Sequence, residues 1–224
     1  MSVAQFIDHT VLKPTTTLAD IEKVCEEAVQ YGFAAVCVPP YYVKDAKSIL
    51  QNTPVKVATV IGFPFGYSHF SAKLAEARMA INEGADELDM VMNLAAFKSN
   101  DMAYLESEIG EMTNLTTQHE VTLKVIVESG ILTEEEIIKC CDLYKHYKIG
   151  FMKTSTGYAE KGATLEAVQI MRMHLPPSIQ IKASGGVKTY EFAQQLIDAG
   201  ATRLGCSASV AIVKGVPEQG GGNY

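Results

Sequence analysis

The segment TLKVIVESGILTEEEIIKCCDLYKHYKIGFMK, Thr122 to Lys153, decides the reading of the fold. It opens with an apolar run suited to a buried strand, Thr122–Val127. Thr133 and Glu136 then form the capping-box pattern of a helix start. Ile137, Cys141 and Tyr144 follow at helical spacing, and a second strand-like run, 149–153, ends the unit on a lysine.

The same alternation extends in both directions. Upstream lie strand candidates at Phe6–His9, Ala34–Val38, Val55–Ile61 and Glu87–Val91; downstream lie Ile179–Ala183 and Arg203–Cys206. Leu18, Ile21, Cys25 and Ala28 mark a helix with Thr17 as N-cap and Gly32 as stop, and Leu74, Ala77 and Ile81 mark another that ends at Gly84. Glycines 32, 84 and 200 each stand a few residues before a strand, where a left-handed residue suits a tight turn. Eight strands at crossover spacing predict an α/β fold, a single-domain (β/α)8 barrel over residues 1–214, with a flexible tail at 215–224. A doubly wound sheet is the structural rival, but Gly-x-Gly-x-x-Gly is absent after the first strands.

Composition narrows the function. Of 224 residues, 47% are apolar and 20% charged, ample for one core, and the net charge of −7 argues against nucleic acid or an anionic membrane as partner. No apolar run approaches a membrane span, and the first residues lack the basic start and long apolar stretch of a signal peptide, so a cytoplasmic protein is expected. Five cysteines without a CxxC pair, and five scattered histidines without HExxH, indicate neither a disulfide framework nor a zinc site. No metal or cofactor is expected.

Charges interrupt runs that should be apolar: Asp89, Lys124, Lys153 and Lys182. In a barrel whose outer face is covered by helices, such charges point inward near the C-terminal mouth, where barrel active sites form. A single one reads equally as a buried ion pair or a snorkelling stem. Four together, with Lys153 and Lys182 near the ends of consecutive strands, read as two ammonium groups crowded together rather than each beside a carboxylate. Crowding and desolvation lower a lysine pKa from about 10.4, and a value of about 7 to 8 makes roughly 10 to 50% of it nucleophilic amine. That is the requirement of Schiff-base chemistry. Asp89 could move protons, directly or through water, or balance the charge of Lys124 or Lys182; both roles can hold at once.

Loops following the seventh and eighth strands of barrels often bind phosphate through backbone N–H groups. Here those loops are Ala183-Ser184-Gly185-Gly186-Val187 and Gly205-Cys206-Ser207-Ala208-Ser209, and Thr154-Ser155-Thr156-Gly157 extends the candidate cradle. Gly157, Gly185, Gly186, Gly205 and Ser207 are its candidate residues.

These segments resemble the class I deoxyribose-phosphate aldolases. The likeness runs through Ile7-Asp8-His9-Thr10, Thr59 to Pro64, Gly84 to Asp89, Leu123 to Glu128, Phe151 to Gly157 and Lys182 to Gly186. It implies reversible, metal-free cleavage of 2-deoxy-D-ribose 5-phosphate to D-glyceraldehyde 3-phosphate and acetaldehyde. By motif, Lys153 is then the Schiff-base lysine, and Asp89 and Lys182 are proton donor/acceptor groups. Asp8, Lys124 and Thr154 are supporting residues, and the terminal Tyr224 matches a tyrosine that relatives bring to the site. Relatives also imply a homo-oligomer, dimer or tetramer. Ala208 and Tyr158 depart from the family pattern, where many members have a second serine and some have a lysine; both changes weaken the expected phosphate grip. Cys37 reads as a buried structural thiol, and His9 as either a pocket wall or core packing. The rivals are another lysine-dependent barrel enzyme and a phosphosugar-binding sensor.

Overall fold

The signals at the segment ends set the helix limits. In the computed structural model, which describes residues 2–216, Thr17 accepts from the Asp20 N–H and the Asp20 carboxylate accepts from the Thr17 N–H. This capping box starts α1 (Leu18–Tyr31), and Gly32 ends it in the left-handed conformation at φ +68°. The following helices are α2 (Val43–Ile49), α3 (Phe70–Asn82), α4 (Leu94–Lys98), α5 (Met102–Gln118), α6 (Glu134–Tyr144), α7 (Leu165–His174), α8 (Tyr190–Asp198) and α9 (Ser209–Lys214). The α6 start is the Thr133/Glu136 capping box.

Between them run β1 (Ile7–Thr10), β2 (Ala35–Val38), β3 (Lys56–Ile61), β4 (Glu87–Val91), β5 (Thr122–Ile126), β6 (Phe151–Lys153), β7 (Gln180–Ser184) and β8 (Arg203–Cys206). Each pairs parallel with the next, and β8 returns to β1 to close the barrel. Closure excludes the doubly wound sheet. The predicted strands are all present, with ends shifted by up to two residues. Gly215 and Val216 follow α9; the rest of the predicted tail, Tyr224 included, lies outside the described residues.

Strand alternation sorts the side chains into two populations. Outward residues such as Val36, Leu88, Met90, Val125, Met152, Ile181 and Leu204 pack with the helices into the main core. Inward residues Cys37, Ala58 and Val60, with Leu12, form a separate small cluster. Much of the remaining interior is charged and packs against the Phe151 ring. It holds the site.

One helix is turned from its predicted face. The stripe Leu74, Ala77, Ile81 is only partly inward, because α3 buries Lys73, Ala77 and Ala80. Lys73 Nζ donates to Glu108 Oε1 on α5 at 2.7 Å and to the Val91 carbonyl at 2.8 Å. Glu108 Oε2 in turn accepts from the Asn93 N–H. A buried charge needs such complete pairing, and here it ties two helices to the C-terminal end of β4.

Candidate active site

Parallel register places neighbours on the same side of the wall. Asp89 on β4 stands beside Lys124 on β5, and Lys153 on β6 beside Lys182 on β7. All four side chains are buried, and only Lys153 retains any exposure, 4% of its side chain. Lys124 donates to Asp89 Oδ1 at 2.6 Å; Lys153 and Lys182 both donate to Asp89 Oδ2 at 2.7 Å. Sharing one oxygen holds the two amines no farther apart than two hydrogen bonds end to end.

Carboxylates are therefore present beside the lysines, which corrects the expectation of ammonium groups crowded without them. Lys182 also donates to Asp8 on β1, and Lys124 lies 2.6 Å from Glu87 at the start of β4. Arg203, the first residue of β8, meets Asp8 at 2.6 Å and Glu87 at 2.9 Å.

These partners set the three lysines apart. Burial disfavours each ammonium. For Lys182 the carboxylates Asp8 and Asp89 outweigh burial and hold its pKa well above the ordinary value. Asp89 and Glu87 likewise raise that of Lys124. For Lys153 burial prevails: Asp89, and to a smaller extent Cys37, support the charge while Lys182 opposes it, and the pKa is lowered. The two carboxyls respond in the opposite sense. Burial raises Asp89, but Lys124, Lys153 and Lys182 together hold it well below the carboxylate range. Burial likewise raises Asp8, and Lys182, Arg203 and Lys124 bring it down to about 2. Lys153 is thus the lysine of the group whose ammonium is disfavoured, and Asp89 stays ionised.

The loops after β6 and β7 meet above these amines. Gly157, Gly185 and Gly186 all have positive φ. A Cβ on Gly162 would lie 2.2 Å from the Gly185 carbonyl oxygen, so only glycine allows the two backbones to pass. Thr154 Oγ1 accepts from the Ser184 N–H at 3.0 Å, stapling β6 to β7. Glu128, left-handed at the end of β5, accepts from the Thr156 N–H and hydroxyl. Ser155 Oγ is buried next to Gly185 and has no hydrogen-bond partner among the described residues.

Of the residues singled out by sequence, the structure brings together Asp8, Asp89, Lys124, Lys153 and Lys182 in the interior and Thr154, Gly157, Gly185 and Gly186 at the mouth. Gly205 faces inward beside them: a Cβ there would lie 2.8 Å from Ser184 Cβ and 3.2 Å from Lys182 Cε, so its bareness makes room for the Lys182 stem. Ser207 is exposed between β8 and α9. Tyr158 closes against Phe63, ring on ring edge, and its hydroxyl donates to the Leu12 carbonyl. Cys37 faces the amines but is buried, with its thiol pushed up to about 11 by desolvation and then by Asp89. His9 points outward, bonded to Glu27 on α1 and Ser209 on α9, so it packs the shell rather than the pocket.

The sequence reading missed Arg203, Glu87 and Glu128. Glu87 was within reach, since it precedes Asp89 by two residues and alternation puts both on one face. Among the described residues no group of three or more His, Cys, Asp or Glu is placed to hold a metal ion, and no helix is long and apolar enough to cross a membrane.

Comparison with known proteins supplies an independent line. Residues 2–215 match the DeoC/LacD family aldolase profile. A deoxyribose-phosphate aldolase of Thermococcus kodakarensis is 48% identical over 219 residues, covering 97% of this chain and 98% of its own. Deoxyribose-phosphate aldolase 1 of Oceanobacillus iheyensis is 46% identical over 224 residues, the full length of both. Among solved structures, the aldolase QR15 superposes with a TM-score of 0.90 at 41% identity, over 95% of this chain and 94% of that one. A tetrameric deoxyribose phosphate aldolase of Aeropyrum pernix gives 0.88 at 29% identity, over 95% and 89%.

Proposed function

Because the chain belongs to the DeoC/LacD family of aldolases, we propose that its charged interior carries out reversible, metal-free cleavage of 2-deoxy-D-ribose 5-phosphate through a Schiff base on Lys153. The chain is an aldolase. The observation that carries the residue roles is the division of labour among the lysines. Of the three lysines inside the barrel, Lys153 alone has a lowered pKa and alone keeps any exposure, whereas Lys124 and Lys182 are held as ammonium.

The Lys153 amine attacks the C1 aldehyde of the open-chain sugar. Lys182 gives a proton to the carbinolamine hydroxyl, which leaves as water, and a protonated imine remains beside the Asp89 carboxylate. Breaking the C2–C3 bond sends its electron pair through C1 to the imine nitrogen, and the enamine forms. The C3 hydroxyl proton passes to the Lys182 amine as glyceraldehyde 3-phosphate departs. Lys182 then returns that proton to C2, and hydrolysis of the resulting iminium releases acetaldehyde, frees the Lys153 amine and gives the remaining proton back to Lys182. Asp89, ionised throughout, steadies the iminium charge and joins the two amines through one oxygen.

The glycine loops after β6 and β7 are placed to receive the phosphate. Gly186 has open space where a side chain would stand, and the Ser155 hydroxyl, without a hydrogen-bond partner among the described residues, is an added donor. Lys153, deep below, is left for the aldehyde end. The homo-oligomer follows the tetrameric relative. The five cysteines, all free thiols, fit a reducing cytoplasmic setting.

Treatment with acetaldehyde and borohydride, followed by peptide mass spectrometry, tests the chemistry. One ethyl group on Lys153 is the expected result; labelling of Lys124, Lys182 or no lysine overturns the assignment. Gly162→Ala tests the phosphate loops separately. Its methyl must push Gly185 aside, and misplacement by about an ångström is worth up to about 100-fold. KM for the phosphorylated sugar should rise at least tenfold while trapping of Lys153 by acetaldehyde persists. Unchanged KM removes these loops from phosphate binding.

A further inference from the structure

The ion pairs inside the barrel form a closed circuit of alternating charge. Asp89 joins Lys182, Lys182 joins Asp8, Asp8 joins Arg203, Arg203 joins Glu87, Glu87 joins Lys124, and Lys124 returns to Asp89. A longer contact of 3.8 Å between Lys124 and Asp8 crosses it. Three carboxylates meet three cations, and the ring is neutral. Lys153 stands outside the circuit, attached through Asp89 Oδ2.

We infer that Arg203 and Glu87 are positioning residues of the aldol reaction: they complete the ring whose balance makes Lys153 the surplus amine. The inference rests on the Schiff-base reading of Lys153. A charged Lys153 would be a fourth cation against the three ring carboxylates, each already engaged, and Glu128, a further carboxylate near it, is taken up by Thr156. In a buried interior an uncompensated charge is unfavourable. Shedding one proton restores balance, and the only ring-free amine is the one that sheds it. Neither Arg203 nor Glu87 hydrogen-bonds Lys153. They act through Asp8, Lys124 and the shared Asp89.

Titratable groups that share the barrel interior with Lys153 come from nearly every strand. They are Asp8 on β1, Cys37 on β2, Glu87 and Asp89 on β4, Lys124 on β5, Lys182 on β7 and Arg203 on β8, while β3 presents Ala58 and Val60. Glu128 stands beyond β5 with its carboxylate engaged by Thr156. Against this set, changing one ring charge has a defined sign. Arg203→Met leaves a surplus of negative charge and favours the Lys153 ammonium; Glu87→Gln leaves a surplus of positive charge and favours the amine.

The test is the pH dependence of kcat/KM and of acetaldehyde trapping at Lys153. The acidic limb should move up by about one pH unit in Arg203→Met and down by about one in Glu87→Gln, as for one charge acting across second neighbours at an effective dielectric of about 20. The double variant, with charge balance restored, should return to within a few tenths of the wild-type midpoint. Structural damage alone would lower rates without opposite shifts that cancel. Glu87 also walls a solvent-open cavity of about 400 Å³ at the N-terminal end of the barrel, so its amide replacement can keep water as a partner. Should Arg203→Met fail to fold, Glu87→Gln decides alone: a downward shift supports the inference and an unmoved midpoint overturns it. Shifts of the same sign in both variants also overturn it. Wild-type trapping at a lysine other than Lys153 would instead overturn the underlying reading, before any variant is compared.

Discussion

Lys153→Met is expected to abolish aldol cleavage, by about four to six orders of magnitude, while the folded protein becomes no less stable. The loss follows from chemistry: methionine has nearly the reach of lysine but no nitrogen, so no iminium forms and the C2–C3 electrons have nowhere to go. Stability follows from linkage. The folded-state pKa of Lys153 is depressed, first by burial, so the unfolded chain holds that proton more tightly than the native one. Between the folded and the ordinary lysine pKa, the native state gains stability as pH rises; below both, it bears the full penalty of a buried ammonium. Methionine removes that penalty. Thermal midpoints at pH 7 should therefore be equal to or higher than wild type, the pattern of an active site that sacrifices stability for reactivity. Lys182→Met is the contrast, because Lys182 is held as ammonium by two carboxylates, and its removal should lower the midpoint. Residual turnover within tenfold of wild type in Lys153→Met sinks the Schiff-base role.

The interior lysines were readable because each breaks an apolar strand. A charge inside Leu-Lys-Val-Ile or Ile-Gln-Ile-Lys has no place on the helix-covered face, so it must point inward. Arg203 and Glu87 escaped because each is the first residue of its strand, where a charge reads as a solvated end. Only the closed register shows that Arg203 reaches across to Glu87 on the far side of the barrel. The same limit explains α3: Lys73 counts as polar in any apolar stripe, and its burial depends on Glu108, thirty-five residues away on α5. Glu128 follows a strand in a left-handed turn, outside the alternation that identifies inward residues. Composition also could not show that the lysines are matched by carboxylates. Crowding proved to be a secondary influence on Lys153, behind burial and opposed by Asp89.

Asp89→Asn carries the second large effect, because Asp89 is the ring member that touches all three lysines. The amide keeps the volume but not the charge, and at least one ammonium then faces an N–H instead of an oxygen. Removing one partner from a buried pairing costs about 3–5 kcal/mol, and that is the expected loss of unfolding free energy at neutral pH. The wild type's own acid limit points the same way. Carboxyls with lowered folded pKa stabilise fully above their ordinary value near 3.9 and lose that contribution as pH falls through the folded value, about 2 for Asp8. The native protein should hold through pH 4 and give way well below it, whereas Asp89→Asn should unfold at distinctly higher pH. Its chemistry should fail at a different step from Lys153→Met. Without the carboxylate Lys153 loses its one ion-pair partner among the described residues and its ammonium is disfavoured further, so borohydride trapping with acetaldehyde should survive. Cleavage should fall about 1,000-fold, since the link that joins Lys153 to Lys182 and steadies the iminium is gone. A double variant, Asp89→Asn with Lys124→Met, restores the charge count and should recover much of the stability but none of the turnover. Recovery of both would make Asp89 a counter-ion alone, and loss of trapping in the single variant would place it in imine formation rather than bond cleavage.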